Sequence, residues 1–387
     1  MNQNQFVTAA ENIELGQLYS ILQKQESAKI DMITPPRSVF MKNNIVHVVR
    51  EDRPTMRLDM TKLSLDQICG KLGIPPQYAQ KMLTNVPGLL DANVNGWLEK
   101  EMTDDGRNFM LRTYSVDGDT GTLRAVLSDK YFDISTFRLM SEVIAVVNEM
   151  QHETGIEIKA QKCDLTEQNI FCRFIAPELE QRSTVLKYFK DATTGNRNPG
   201  FFTGVIFKNS EVGKGMYTIA PRIITGACQN GNIYTSESIR RMHIGERLDV
   251  GEIQWSKETI ELEIQSIMSK TRDAFRRWLS KEFLGKTVEQ FEAAAEIKLH
   301  YPIDTVVNVA QELALPKKTT QSVIEYLNGC GMGDTAFGVI QAFTGVARDL
   351  SPDDRWRIED AVTEKLLIGD VDKYDHRNRA ARKFIMN

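Results

Sequence analysis

The sequence predicts an α+β protein with an antiparallel sheet core, long flanking helices and a helical C-terminal region. Between residues 108 and 228, apolar and polar residues alternate in several short segments, which is typical of strands with one buried face. The Asp117-Gly118 step between two of these segments is typical of a hairpin turn. Beyond residue 256 the apolar residues recur at three- and four-residue intervals, which indicates helices.

Residues 1–106 are predicted to be a helical lead-in region. We expect a helix around Ile13 to Gln25 and a short strand from Asn44 to Val49, where β-branched residues are frequent. Two more helices should follow in SLDQICGKLGIPPQYAQKML, because Gly73 and Pro75-Pro76 interrupt the helical spacing between them.

This pair of helices could be read as a DNA-binding helix-turn-helix unit, whose second helix enters the major groove. The second helix, from Gln77 to Leu83, offers Lys81 as its only basic residue. A helix that reads the groove carries several donors along one exposed face. Packing of two amphipathic helices is therefore the favoured interpretation.

Residues 107–285 are predicted to form an α+β core domain, and residues 286–387 a helical region with a small basic tail. The core should begin with a hairpin of FMLRTYS and TLRAVLS, followed by a helix capped by Asp133 or Ser135. A long helix from about Ser256 to Phe283, basic in its second half, should end it. Further strands are expected in the segments IEIKAQK, NIFCRFIA, FFTGVIFKNS and GMYTIAPRIITGAC.

Composition restricts the class of protein and its location. The formal net charge of -4 and a pI near 5.9 argue against a surface that coats nucleic acid or acidic membranes as a whole, but they allow a local basic groove. No stretch approaches the roughly 18 apolar residues of a membrane span. The N-terminus lacks the pattern of a secretory signal. We therefore expect a cytoplasmic protein without a membrane partner.

No metal site, cofactor or catalytic motif is predicted. The five histidines and five cysteines show no ligand spacing, and the cysteines suit reduced, buried thiols. The glycine-rich NSEVGKGMYTIAP lacks the spacing of nucleotide-binding loops and favours a turn between strands. A magnesium-dependent nuclease would need carboxylates such as Asp353-Asp354 to converge with others from separate strands. The sequence leans against an enzyme and leaves this alternative open.

Basic and aromatic residues are interleaved in the strand-rich middle of the chain. Cations bind phosphates and aromatic rings stack on bases, which are the two components of a groove for single-stranded nucleic acid. The same mixture also occurs on an ordinary solvated face above an aromatic core. The candidate phosphate-binding residues are Arg112, Arg124, Lys130, Lys208, Lys214, Arg222, Arg240, Arg241, His243 and Arg247. The candidate base-stacking residues are Tyr131, Phe201, Tyr217 and Tyr234.

The most specific local hypothesis concerns Arg240 and Arg241 in the segment SESIRRMHIGER. This segment predicts a short helix capped by Ser236 or Ser238, in which both arginines reach solvent and form a cationic patch with His243 and Arg247. Arginine suits bidentate contacts with phosphate. The alternative is that the arginines pair with acidic neighbours such as Glu237 or Glu246.

Several blocks of the sequence resemble the phage/plasmid-like protein family known as domain of unknown function 932. They are LRAVLSDKYFDIS, FKNSEVGKGMYTIAPRIITGACQNGNI, RRMHIG and DTAFGVIQAFTGVARDL, together with LGIPPQYAQKML and LLDANVNGWL. The resemblance extends from about residue 60 to 370. This chain departs from the family at Cys228-Gln229-Asn230-Gly231, where the family tends to carry Cys-Thr-Asn-Gly, and at Gln341-Ala342-Phe343-Thr344, where the family carries Asn-Ala-x-Thr. The resemblance implies a bacterial mobile element but no established reaction.

The order of the predicted elements is also similar to the core of single-strand annealing recombinases, which hold DNA in a basic groove of a ring or filament. By this analogy we expect a DNA-metabolism protein that binds single-stranded DNA, with annealing of complementary strands as a further activity. Uncovered strand edges would favour a homo-oligomer. The alternatives are a metal-dependent nuclease and a phage interaction or structural protein.

Overall fold

The computed structural model describes residues 6–101, 108–129, 131, 135–187, 189, 195, 199–226, 231–241 and 256–385. It confirms the α+β class, with two mainly antiparallel sheets and a helical C-terminal region. None of the helices in these ranges combines the length and the apolar character that crossing a lipid bilayer requires.

Strands and helices are mixed in the chain up to Arg241, and the described residues beyond it are mainly helical. The strands are β1 (Ala10–Ile13), β2 (Lys29–Thr34), β3 (Val39–Lys42), β4 (Ile45–Val48), β5 (Met56–Met60), β6 (Phe109–Tyr114), β7 (Thr120–Ser128), β8 (Lys159–Ala160), β9 (Cys163–Leu165), β10 (Ile170–Gln181), β11 (Phe201–Asn209), β12 (Tyr217–Thr225), β13 (Gly231–Ile233) and β14 (Ile239–Arg241). The helices are α1 (Leu15–Ala28), α2 (Lys62–Lys71), α3 (Pro76–Asn85), α4 (Pro87–Glu101), α5 (Thr136–Thr154), α6 (Lys257–Trp278), α7 (Lys281–Glu296), α8 (Pro302–Glu312), α9 (Lys317–Gly329), α10 (Ala336–Ala347), α11 (Pro352–Val362) and α12 (Arg382–Ile385).

A six-stranded sheet, which we call the N-terminal sheet, has the order β2-β6-β7-β5-β4-β3. Its neighbours are antiparallel except for β5 and β7, which run parallel. The predicted hairpin of β6 and β7 is present, and Gly118 in its turn has a φ of 78°, which favours glycine. Because β2 pairs with β6 and β5 with β7, the sheet joins strands from both sides of residue 106. The prediction that residues 1–106 form a separate helical lead-in is therefore wrong.

Helix α4 occupies the outer edge of β3 with two polar side chains. The Asn95 amide accepts from the Met41 backbone N–H at 2.7 Å and donates to the Met41 carbonyl oxygen at 2.8 Å. The Asp91 carboxylate accepts from the backbone N–H groups of Asn43 and Asn44. These contacts replace those of a further strand, so this edge is protected from pairing with another chain.

An eight-stranded sheet, which we call the central sheet, has the order β1-β9-β10-β11-β12-β13, with β8 beside β10 and β14 beside β12. One face packs on helices α1, α5, α6, α7 and α10 through a large core that includes Phe174, Phe207 and Ile219. The opposite face packs on α11, where Phe171 and Ile206 contact Trp356. Alternate residues of each strand thus belong to different layers.

Two predicted helices differ in the structure. The helix expected from about Ser256 to Phe283 is interrupted after Trp278, because the Ser280 hydroxyl accepts from the Phe283 backbone N–H and caps a new helix, α7. The segment 236–241 is not α-helical. The 3₁₀ turn at residues 235–237 leads into β14, whose Ile239 pairs with Ile219 of β12, and the rest of the predicted helix lies outside the described residues.

A buried ion-pair cluster fastens α11 to the central sheet. The Arg222 guanidinium lies 3.1 Å and the Arg355 guanidinium 3.0 Å from Oε1 of Glu359, which also accepts from the Gly231 backbone N–H. A Cβ atom at residue 231 would lie 2.2 Å from Nε of Arg222, so glycine is required there. Burial opposes ionisation of Glu359, but Arg222 and Arg355 outweigh it and lower its pKa to about 2. Burial lowers the pKa of Arg222 to about 10, and the pair remains charged at neutral pH.

Replacement of Glu359 by Leu should destabilise the protein by roughly 3–5 kcal/mol, because two arginines would be left buried without their partner. Since the folded pKa of Glu359 is depressed, its contribution to stability is complete above the ordinary value of 4.5 and is lost as the pH falls through about 2. Urea unfolding of both proteins across this pH range measures the effect.

The exposed Glu282, which pairs with Lys286 on α7, provides the matched control. Glu282→Leu should leave the urea midpoint nearly unchanged, because an exposed pair within one helix contributes little. A Glu359→Leu variant that unfolds like this control would contradict the role of the buried cluster.

Candidate nucleic-acid interface

Three of the predicted phosphate-binding arginines are buried and engaged with protein groups. Arg112 donates from Nε to Asp31 at 3.0 Å and lies close to Glu211. Arg222 belongs to the ion pair with Glu359. Arg124 is 5% exposed, and its Nη2 donates to the Thr166 carbonyl oxygen at 3.4 Å. The prediction that these arginines line an open groove is therefore wrong: the side-chain direction that the strand imposes places them between layers.

The predicted base-stacking residues are also core residues. Phe201 is fully buried and stacks on Phe291, with ring centroids 4.9 Å apart. Burial raises the pKa of Tyr217 and of Tyr234 above the ordinary value, and their rings lie in the same large core. Half-buried Tyr131 donates from its hydroxyl to the Ser210 carbonyl oxygen at 3.3 Å. Phe201, Tyr217 and Tyr234 cannot stack on a base without opening the core, so this prediction is corrected.

The remaining described cations come together at one end of the central sheet. Lys208 pairs with Thr218, and Thr218 pairs with Arg240, so the three residues form a row across β11, β12 and β14. Arg241 follows in register with Tyr217, the first residue of β12. Lys214 is exposed in the connection between β11 and β12, which begins next to Lys208. We call Lys208, Lys214 and Arg240 the sheet-end cluster.

The ammonium of Lys208 lies against aromatic rings. Nζ is 5.0 Å from the centroid of Trp356 and 5.8 Å from that of Phe171. Burial lowers the pKa of Lys208, while the carboxylates of Asp353 and Asp360 act in the opposite direction. No described residue forms a salt bridge with this ammonium at 4.0 Å or less. Its positive charge is therefore partly desolvated and only distantly compensated.

Arg240 is exposed, and its Nε donates to the Ser238 hydroxyl at 2.8 Å. The charge of Arg240 acts on Asp360 of α11, whose carboxylate accepts from the Thr235 hydroxyl. Burial raises the pKa of Asp360, and the Thr235 hydrogen bond and Arg240 oppose that shift. The sheet-end cluster thus lies beside a carboxylate that is less acidic than usual.

Three arginines in the basic second half of the long helix pair with neighbouring acids. Arg272 pairs with Glu149 at 2.6 Å, and Arg276 pairs with Glu153 at 2.8 Å, both across to α5. Arg277 pairs with Glu237 of the 3₁₀ turn before β14. These arginines therefore form ion pairs within the protein rather than a free cationic surface.

Some predicted residues lie outside the described ranges: Lys130, His243 and Arg247. Of the five thiols predicted to be buried, Cys69, Cys163 and Cys172 are buried, Cys330 is half-buried and Cys228 lies outside the described residues. Burial with the charge of Asp66 raises the pKa of Cys69 to about 11. Within the part of the chain that the structure describes, no three His, Cys, Asp or Glu side chains are grouped so that they could hold a metal ion.

Comparison with protein-family models, curated proteins and solved structures gives no significant match. Trp356 and Asp360, which shape the sheet-end cluster, were not identified from the sequence. The amphipathic pattern around them predicts a helix, but no local pattern tells which strand that helix will contact.

Replacement of Lys208 by Met should change the free energy of unfolding by less than about 1 kcal/mol, because the lost cation–aromatic attraction is offset by relief of charge burial. The control is Arg222→Met in the ion-pair cluster, which should cost roughly 3–5 kcal/mol because Glu359 loses a partner. Urea unfolding measures both. Equal losses in the two variants would mean that Lys208 has a structural role.

Proposed function

We propose that this protein binds single-stranded DNA and anneals complementary strands, as the resemblance to mobile-element proteins suggests. The observation that carries the proposal is the sheet-end cluster. Cations that are scattered from residue 208 to 240 in the chain lie at one end of one sheet, with Lys214 and Arg240 exposed. Such a cluster suits the phosphates of a flexible strand, since each phosphate carries one negative charge.

The negative net charge of the protein does not oppose DNA binding, because the cations of the sheet-end cluster lie together. Many of the other arginines are used in ion pairs, as on α6, and contribute little net field. Among the described residues, the carboxylates of Asp353 and Asp360 act on Lys208, and the pKa of Asp360 is raised. A local positive region on an acidic protein is sufficient for binding and makes the affinity depend on salt.

Gel-shift measurements with single- and double-stranded oligonucleotides test the proposal, together with annealing of complementary strands in the absence of magnesium. We expect preference for single strands, and a steep loss of affinity with salt. Absence of binding at about 50 mM salt would overturn the proposal. Magnesium-dependent loss of DNA would instead favour a nuclease, and a protein that binds no DNA would favour the interaction or structural alternative.

Replacement of both Lys214 and Arg240 by Gln should weaken DNA binding and reduce its salt dependence by about one to two counterions, because two phosphate contacts are removed. Thermal stability should be nearly unchanged, since both side chains are exposed. Fluorescence anisotropy over a salt series measures the slope.

A double variant with the same change in formal charge is the control: Arg272→Gln with Arg276→Gln on α6. Those arginines are already paired with Glu149 and Glu153, so their loss should change the salt slope less. Equal slopes for the wild type and the Lys214/Arg240 variant would remove these residues from the interface.

Replacement of Asp360 by Asn should strengthen DNA binding severalfold, because a negative charge beside Lys208 and Arg240 is removed while an oxygen remains to accept from Thr235. The raised pKa of Asp360 also implies that wild-type affinity increases as the pH falls from neutrality toward that pKa, as the carboxylate is neutralised. This part of the pH dependence should be missing in the variant. Anisotropy titrations at several pH values measure it, and an unchanged affinity and pH profile would contradict the assignment.

A further inference from the structure

The N-terminal sheet presents one uncovered face on β3, β4 and β5. Residues of these strands alternate strictly between buried and accessible positions, and the buried set packs against α2, α3 and α4. We call the accessible set on the other side the open face. Its members are Phe40, Lys42, Ile45, His47, Arg57 and Asp59.

An aromatic pair lies at the centre of one row of the open face. Phe40 and His47 are paired in register on β3 and β4, and their rings stack with centroids 4.7 Å apart and planes within 10° of each other. Phe40 is 36% exposed, an unusual position for a residue type that is normally buried. Stacking therefore holds the two rings in a fixed orientation on a rigid sheet while part of the Phe40 ring stays accessible to solvent.

Cations flank this aromatic pair. Arg57 of β5 pairs with His47 and completes the row, and exposed Lys42 follows two residues after Phe40. None of the described residues forms a salt bridge with Lys42 or Arg57. Asp59, the one carboxylate of the open face, lies beyond Ile45 in the row of Lys42 and two residues after Arg57 on β5. Two cations and one carboxylate thus give the open face a positive formal charge.

A strand-like peptide partner is disfavoured at the β3 edge of this sheet. Asn95 of α4 already binds the backbone N–H and carbonyl oxygen of Met41, which a peptide added to β3 would need, and Asp91 binds the N–H groups of Asn43 and Asn44 in the turn that follows β3. A ligand at β3 must therefore use the face and not this edge. A face that combines exposed rings with free cations suits unpaired bases joined by phosphates.

We propose that the open face is a base-stacking site for single-stranded nucleic acid, with a base on the Phe40–His47 pair and flanking phosphates at Arg57 and Lys42. This inference rests on the proposed function and adds a second contact site to the sheet-end cluster. A single strand is required, because bases in a duplex are stacked on each other and offer no free ring face. A base that lies on Phe40 keeps its pairing edge in solvent, which annealing needs.

Fluorescence anisotropy with single-stranded DNA and RNA oligonucleotides tests the open face in the full chain. Phe40→Ala should weaken binding roughly ten- to a hundredfold without changing the salt slope, because stacking involves no counterion release. Arg57→Gln with Lys42→Gln should instead reduce the slope by about one to two. Ile33→Ala on β2, which removes another exposed apolar side chain from the same sheet, is the control and should bind like the wild type.

Phe40→Leu protects the test against a folding artefact, because leucine keeps an apolar side chain on the strand but has no aromatic face. It should bind as weakly as Phe40→Ala while unfolding at the wild-type temperature. Wild-type affinity in both Phe40 variants would overturn the open-face site and leave the proposed function intact. Binding of RNA alone that depends on Phe40 would support the site but overturn the DNA function, and binding of neither oligonucleotide would overturn both.

Discussion

The buried Arg222–Glu359 ion pair determines how the C-terminal helices meet the central sheet. Glu359 contacts two arginines and a backbone N–H of β13, so α11 has one favourable position on the strands. That position brings Trp356 against the Lys208 ammonium and Asp360 against Thr235. Charges taken out of water require well-oriented partners, and a shifted helix would leave them unpaired. The surroundings of the sheet-end cluster therefore follow from one interaction in the interior.

Arginine and lysine residues on one face of the central sheet have different roles according to how far they lie from α11. One face of the central sheet, which α11 partly covers, carries four cations: Arg173, Lys208, Arg222 and Arg240. Arg222 lies under the helix and is neutralised by Glu359, and buried Arg173 pairs with Asp164. Lys208 is at the rim against Trp356, and Arg240 is beyond it and exposed. A cation that α11 covers forms a buried ion pair, whereas a cation beyond the helix remains on the surface.

Sequence patterns predicted the local structure because the determining residues are close together in the chain. The β6–β7 hairpin depends on the turn around Gly118, and the start of α5 on Ser135, which accepts from the Arg138 backbone N–H. The pairing of β2 with β6 and of β5 with β7 joins distant segments, and no local pattern specifies it. For the same reason, the sequence does not predict which partners the candidate site residues have. Spacing shows that Arg112 and Arg222 are in strands, but their acidic partners Asp31 and Glu359 come from remote elements.

The two sheets expose cations for different physical reasons. At the central sheet, the cluster is accessible because α11 covers only part of a face, and an aromatic ring lies beneath a lysine. At the N-terminal sheet, helices α2, α3 and α4 pack on one face and α4 also occupies the β3 edge, while the opposite face of β3, β4 and β5 is accessible. Its rings stack on each other rather than on a helix. Charge alone would suit any polyanion, whereas an accessible ring beside free cations adds a requirement for unpaired bases, and this combination distinguishes a single strand from a duplex.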